Sequence, residues 1–149
     1  MRIRKAQEKD IKSLYEIHVK AIQNIGPEFY NDSQKIAWLK SKTPEGYISR
    51  LLDTYVLIDG NKLIGFLEIS KSSIKRLFID PEIQGKGFGS KLMKFGLNKI
   101  YKDNKNTKVK LTATLNSSTF YERFGFKEIK KASELNNGKR IPLIFMEKA

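Results

Sequence analysis

The stretch richest in chemistry runs Leu77-Phe78-Ile79-Asp80-Pro81-Glu82-Ile83-Gln84-Gly85-Lys86-Gly87-Phe88-Gly89-Ser90. A strand ends at Pro81, a turn with three alternate glycines follows, and a helix starts near Ser90. Glycine reaches positive φ and lets a backbone approach a ligand closely. Successive N–H groups that lead into an open helix N-terminus form a concave site for an anion. Lys86 and Lys91 add mobile positive charge. The stretch therefore predicts a phosphate or pyrophosphate site. It is not a P-loop, because Gly85-Lys86 is not followed by Ser or Thr. It also departs from the dinucleotide fingerprint. The glycines stand at Gly85-x-Gly87-x-Gly89, and the next strand, Val109 to Leu115, offers no carboxylate.

Other reactive groups are few. Tyr121 lies in the downstream segment TLNSSTFYERFGF, between Phe120 and Phe124. Glu68 stands late in a predicted strand; a carboxylate there that faced a cleft could drive a water relay, and the alternative is an exposed strand residue. His18, the one histidine, falls on an apolar helix face and reads as structural. There is no cysteine, hence no disulfide framework, thiolate metal site or cysteine nucleophile.

The 149 residues suit one domain, residues 1–149, with enough apolar content (40%) for its own core. Net charge is +13, and residues 71–110 carry most of it, with 11 basic and 3 acidic residues. That bias implies a polyanionic partner, a nucleic acid or a phosphorylated small molecule. A lysine-rich solvated surface is the plainer alternative. The charged N-terminus Met-Arg-Ile-Arg-Lys-Ala has no apolar segment after it, and no run approaches a membrane span. A cytoplasmic protein without membrane association is expected.

The elements that must position these groups follow from periodicity. A strand over Arg2–Ala6 precedes a helix capped by Asp10, with Ile11, Leu14, Ile17, His18, Ala21 and Ile22 on one face and Gly26-Pro27 at its end. A second helix covers about Ser33–Leu39. Thr43-Pro44-Glu45 opens a third helical turn, with proline at the first helical position. Tyr55–Ile58 and Lys62–Ser70 flank Asp59-Gly60-Asn61 as a hairpin. Strands at Ser73–Ile79 and Val109–Leu115 bracket a helix over Ser90–Tyr101. A short helix at Thr119–Phe124, a strand at Phe126–Lys131, a turn at Asn136-Asn137-Gly138 and a strand at Arg140–Glu147 complete the chain. Pro142 predicts that the last strand is an edge or carries a bulge. Three consecutive strands before the central helix argue for an α/β (α+β) fold with a mixed, largely antiparallel sheet of about seven strands and about four helices.

Gln84, Gly87 and Gly89 match the pattern Gln-x-x-Gly-x-Gly, which resembles the acetyl-CoA pyrophosphate loop of the GCN5-related N-acetyltransferases (GNAT). LFIDPEIQ resembles that family's entry to the loop. TLNSSTFYERFGF resembles its small helix carrying a tyrosine, followed by Gly-Phe opening a strand. The interval from Asn116 to Tyr121 is shorter than in many members and matches a subgroup with a briefer helix. The resemblance implies direct transfer of acetyl from acetyl-CoA to a primary amine of a small molecule or peptide, with no metal and no covalent enzyme intermediate. It implies that Gln84, Gly85, Lys86, Gly87, Phe88, Gly89 and Ser90 hold the pyrophosphate. Main-chain groups of Leu77, Phe78 and Ile79 would pair with the pantetheine arm like an added strand, and Asn116 would touch the cofactor.

Tyr121 is then the acid for the leaving thiolate, and Glu68 a candidate base. The first two helices would wall the acceptor site, which makes Phe29, Tyr30 and Trp38 candidate acceptor contacts. Glu28, Asp32 and Glu45 near that wall lean towards a cationic acceptor. Relatives that pair through sheet edges suggest a homodimer. Two other readings stay in view: a regulator that binds acetyl-CoA without catalysis, and a basic nucleic-acid module. The second is disfavoured because most aromatics fall at core periodicity and no nucleic-acid motif is present.

Overall fold

In a computed structural model that describes residues 1–149, the chain opens with strand β1 (Arg2–Lys5), helix α1 (Ile11–Gln23) and helix α2 (Asp32–Leu39). A long 3₁₀ segment, Pro44–Asp53, has proline in its first turn as expected. Strands β2 (Thr54–Asp59), β3 (Lys62–Ser70) and β4 (Ser73–Ile79) follow. Then come α3 (Phe88–Asp103), β5 (Val109–Thr114), α4 (Ser118–Glu122), β6 (Lys127–Asn136) and β7 (Lys139–Lys148). The strands form one sheet in the order β1-β2-β3-β4-β5-β7-β6. All pairs are antiparallel except β4 with β5. No helix is long and apolar enough to cross a membrane.

Three expectations from the sequence need correction. Asp10 does not cap α1. Its carboxylate accepts from the Gln7 N–H (2.8 Å) and binds Arg4 through both oxygens (2.7 and 3.0 Å). It therefore ties β1 to the helix entry and stays buried. Helix α1 ends at Gln23, before Gly26-Pro27. β7 is an interior strand, and Pro142 pairs with Ser133 without a bulge; the register shift in β6 lies at Ile129.

A tyrosine reconciles Pro142 with an interior strand. Thr114 opposite Leu143 is the last β5–β7 pair. The next position would need an N–H that proline lacks. There Tyr30 Oη accepts from the Leu115 N–H (3.0 Å) and donates to the Pro142 carbonyl (2.6 Å). Its hydroxyl thus bridges the Leu115 N–H to the Pro142 carbonyl where direct pairing of the two strands stops. Tyr30 and Trp38 pack edge-to-face with Ile22, Ile25, Ile141 and Leu143 under α1 and α2.

The main core lies between the sheet and α3, with Leu67, Ile74, Leu92, Met93, Leu97, Val109 and Leu111 among its residues. A second cluster lies on the other face, under α1 and the 3₁₀ segment, around Leu14, Tyr47, Val56 and Phe66. A bulge in β4 apportions residues between these faces. Glu68 pairs with Arg76 and Ile69 with Ile74, so Lys75 is the extra residue. Two-residue periodicity would put Ile74 and Leu77 on opposite faces. The inserted Lys75 brings both to the α3 face and turns Arg76 and Phe78 towards α1.

Candidate active site

The parallel contact between β4 and β5 is short, joining only Ser73 with Lys110 and Ile74 with Leu111. Beyond it the strands diverge, and a cavity of about 120 Å³ opens between them. Arg76, Leu77, Phe78, Ile79, Gln84, Thr114, Asn116, Ser117 and Tyr121 line it, with Ala21 and Ile25 of the α1 region. The Asp80 N–H bonds to the Ile64 carbonyl on β3 (2.9 Å). Backbone groups alternate direction along a strand, so Leu77 and Ile79 turn theirs into the gap. That open edge can pair with an extended ligand arm.

A cavity of about 410 Å³ continues from the gap to the start of α3. Gln84, Gly85, Gly87, Phe88, Gly89 and Ser90 line one wall, and Asn116, Ser117, Phe120, Tyr121 and Arg123 the other. Asp80 sets the entry to this loop. Its buried carboxylate accepts from the Glu82 N–H (3.0 Å) and holds the 3₁₀ turn Pro81–Ile83. Gly85 and Gly87 have φ of 85° and 81°, and no atom lies within 4 Å of a Cβ placed on either. Glycine is required there by backbone conformation, not by crowding.

No N–H from Gln84 to Ser90 donates to any protein acceptor; the first bonded donor is Lys91, to the Gly87 carbonyl (3.1 Å). Seven successive donors at the positive end of a sixteen-residue helix therefore stand free. Helix α3 begins two residues before the expected Ser90, which adds Phe88 and Gly89 to its open first turn.

Tyr121 sits where the two cavities meet, 8% exposed. Burial pushes its hydroxyl pKa up, so it carries its proton throughout the working pH range. Its ring is held edge-on by Phe120 and Phe126, so the small helix aims it firmly.

The remaining sequence candidates fall elsewhere. Lys86 is exposed beside the loop and lines neither cavity. Phe29 is exposed, and Tyr30 and Trp38 are core residues; none of the three lines either cavity. Glu68 is buried, not exposed, and faces neither cavity. Its Oε1 accepts from Arg76 Nη1 (2.9 Å) and lies 3.7 Å from Arg50 Nε. His18 is buried, stacks on Phe78 at 4.4 Å and hydrogen-bonds through Nδ1 to the Tyr47 hydroxyl. Burial, and then the charges of Lys42, Arg76 and Arg50, hold its pKa well below the usual histidine value.

Ser117 and Arg123 line the larger cavity without having been singled out, and Phe120, named only as a neighbour of Tyr121, lines it too. Arg123 was legible as the basic residue beside the tyrosine segment. Its guanidinium lies 5.5 Å over the Phe120 ring, above that cavity. Arg76 was legible too, as the cross-strand partner of Glu68 in a tight hairpin.

Residues 28–149 match the Acetyltransferase (GNAT) domain family. The chain belongs to this family of GCN5-related N-acetyltransferases. It is 26% identical over 134 residues to the uncharacterized N-acetyltransferase YafP of Escherichia coli, covering 88% of this chain and 84% of that protein. A GCN5-related N-acetyltransferase from Rhodopseudomonas palustris superposes with a TM-score of 0.90 at 20% identity, over 99% of this chain and 94% of that one. The PaiA N-acetyltransferase of Thermoplasma acidophilum, solved in complex with coenzyme A, superposes with a TM-score of 0.75 at 24% identity, over 99% and 97% of the two chains.

Proposed function

We propose that the protein moves an acetyl group from acetyl-CoA directly to a primary amine, with Tyr121 as general acid. The observation that carries this reading is the run of unpaired N–H groups from Gln84 to Ser90, opening on a cavity that ends at Tyr121. The donors suit a diphosphate, and the gap-facing groups of Leu77 and Ile79 suit the amide-bearing arm behind it. The co-substrate supplies an activated thioester carbonyl at the end of that arm. A free N–H at the fork acts as an oxyanion donor.

The amine nitrogen bonds to the acetyl carbon, the C–S bond breaks, the sulfur takes the proton held by Tyr121, and the proton that nitrogen sheds on becoming an amide returns to Tyr121 through water in the cavity. The attacking amine must be neutral, so an ammonium first gives its proton to water in the cavity. Glu68 serves this site as the counter-ion of Arg76; its guanidinium contacts leave it poorly placed to act as the base.

Tyr121→Phe tests the assignment by separating chemistry from binding. The expected loss is about 10²-fold or more in kcat, with acetyl-CoA affinity by calorimetry changed less than about twofold. Unchanged turnover across pH 6 to 9 removes Tyr121 from the chemistry. Tight acetyl-CoA binding with no thiol release for any amine would instead make the protein a non-catalytic acetyl-CoA binder.

A further inference from the structure

Resting on the reading above, we propose that the acceptor amine carries a carboxylate of its own, as in a free amino acid, and that the Arg50–Arg76–Lys42 cluster recognises it. Arg50 and Arg76 converge on Glu68 on the α1 side of the sheet, Lys42 lies near enough for its charge to act with theirs on His18, and Glu68 is the one carboxylate in ion-pair contact with any of the three. Arg76 Nη1 and Arg50 Nε share the same Glu68 oxygen, at 2.9 and 3.7 Å. Arg50 Nε is buried without a hydrogen-bond acceptor, and its guanidinium lies over the Tyr47 ring at 4.6 Å. Lys42 is half-buried and makes no ion pair. Burial and the nearby charge of Arg76 lower its pKa, with Glu134 opposing and Arg50 reinforcing. Glu68 alone is in ion-pair contact with the three half-buried cations, and Glu134 acts on Lys42 only from beyond that distance, which leaves positive charge that an anion would neutralise.

Arg50 and Lys42 line neither cavity, and the cluster reaches the reacting end of the molecule through Arg76, which shares the Glu68 oxygen with Arg50. Arg76 lines the small cavity together with Tyr121. A polyamine or lysine ammonium there meets like charge, which opposes binding. An amino carboxylate neutralises the cluster instead. The same cations lower the pKa of the acceptor's ammonium and so favour the neutral amine that attack requires. The acidic residues that pointed to a cationic acceptor lie elsewhere: Glu28, Asp32 and Glu45 are exposed and line neither cavity.

The experiment measures thiol release from acetyl-CoA with matched acceptors: amino acids against their carboxamides, dipeptides against dipeptide amides, and linear polyamines. The inference predicts kcat/KM at least about tenfold higher for each acid than for its amide, one charge-assisted contact's worth. Arg76→Gln should erase most of that ratio, mainly through KM. Because Arg76→Gln also strips a partner from buried Glu68, Lys42→Gln provides a variant that orphans no carboxylate and should shrink the same ratio. Amides or polyamines turned over as well as acids, or a preference untouched in every folded variant, overturn the inference. If no amine is turned over, the proposed acetyl transfer fails. The acceptor class is then read by calorimetry, titrating N-acetyl amino acids and their amides onto the coenzyme A-loaded protein. Tighter binding of the acids that Lys42→Gln weakens supports the inference; equal or absent binding overturns it.

Discussion

His18 shows how one residue's environment sets its chemistry. Its ring is neutral because it is buried, and because Lys42, Arg76 and Arg50 oppose a further positive charge. It supplies an apolar face for Phe78 and a ring nitrogen for the Tyr47 hydroxyl, whose own pKa burial pushes up to about 12. A histidine that is depressed in the folded state binds a proton more readily when unfolded. The unfolded chain therefore gains protons first as pH falls below about 6.5. The stability His18 confers is complete above that pH and is lost progressively below it, by up to about 1.4 kcal/mol per pH unit. Thermal melts should show Tm falling between pH 6.5 and 5, and His18→Gln should flatten that slope even where it lowers Tm at pH 8. A slope that survives the substitution assigns the acid sensitivity to other groups.

At the scale of elements, the site is made by two departures from regular structure. One is the fork, where β4 and β5 part after two residue pairs; the other is the loop, where Gly85 and Gly87 take positive φ and present N–H groups that the helix cannot satisfy. Gly87→Ala places a Cβ in open space, so its cost is backbone strain alone, about 1–3 kcal/mol at a left-handed position. The loop relieves that strain by leaving its donor geometry. The KM for acetyl-CoA should then rise about tenfold while kcat at saturation holds. A variant with unaltered KM and the same melting temperature would show that the loop geometry does not set cofactor binding.

Over the whole molecule, the order of elements was legible because each boundary carried a local signal: Pro44 at a helix start, Asp59-Gly60-Asn61 in a hairpin, Asn137-Gly138 in the last turn. The loop and Tyr121 were legible for the same reason, since each belongs to a continuous motif. What stayed hidden was assembled from distant segments. Pro142 reads locally as an edge residue, but Tyr30, 112 residues earlier, bridges its carbonyl to the Leu115 N–H, and β7 is interior. Glu68 reads as a free carboxylate, but Arg50 arrives from the 3₁₀ segment and Arg76 from across the hairpin to engage it. The bulge at Lys75, which sorts Arg76 from Leu77, leaves no glycine or proline mark in the sequence. The charge bias was legible in amount, +8 over residues 71–110, but not in consequence. Of that excess, Lys75 and Arg76 line the small cavity, whereas no lysine of α3 lines either cavity.

Amide shifts report most directly on whether the open donors hold the diphosphate. Titrating coenzyme A into nitrogen-15-labelled protein should move the amides of Gln84 to Ser90 downfield as their N–H groups gain acceptors, with Leu77 and Ile79 following. 3′-Dephospho-coenzyme A, which keeps the diphosphate, should move the same amides. Coenzyme A binding that leaves those seven amides in place would contradict the account.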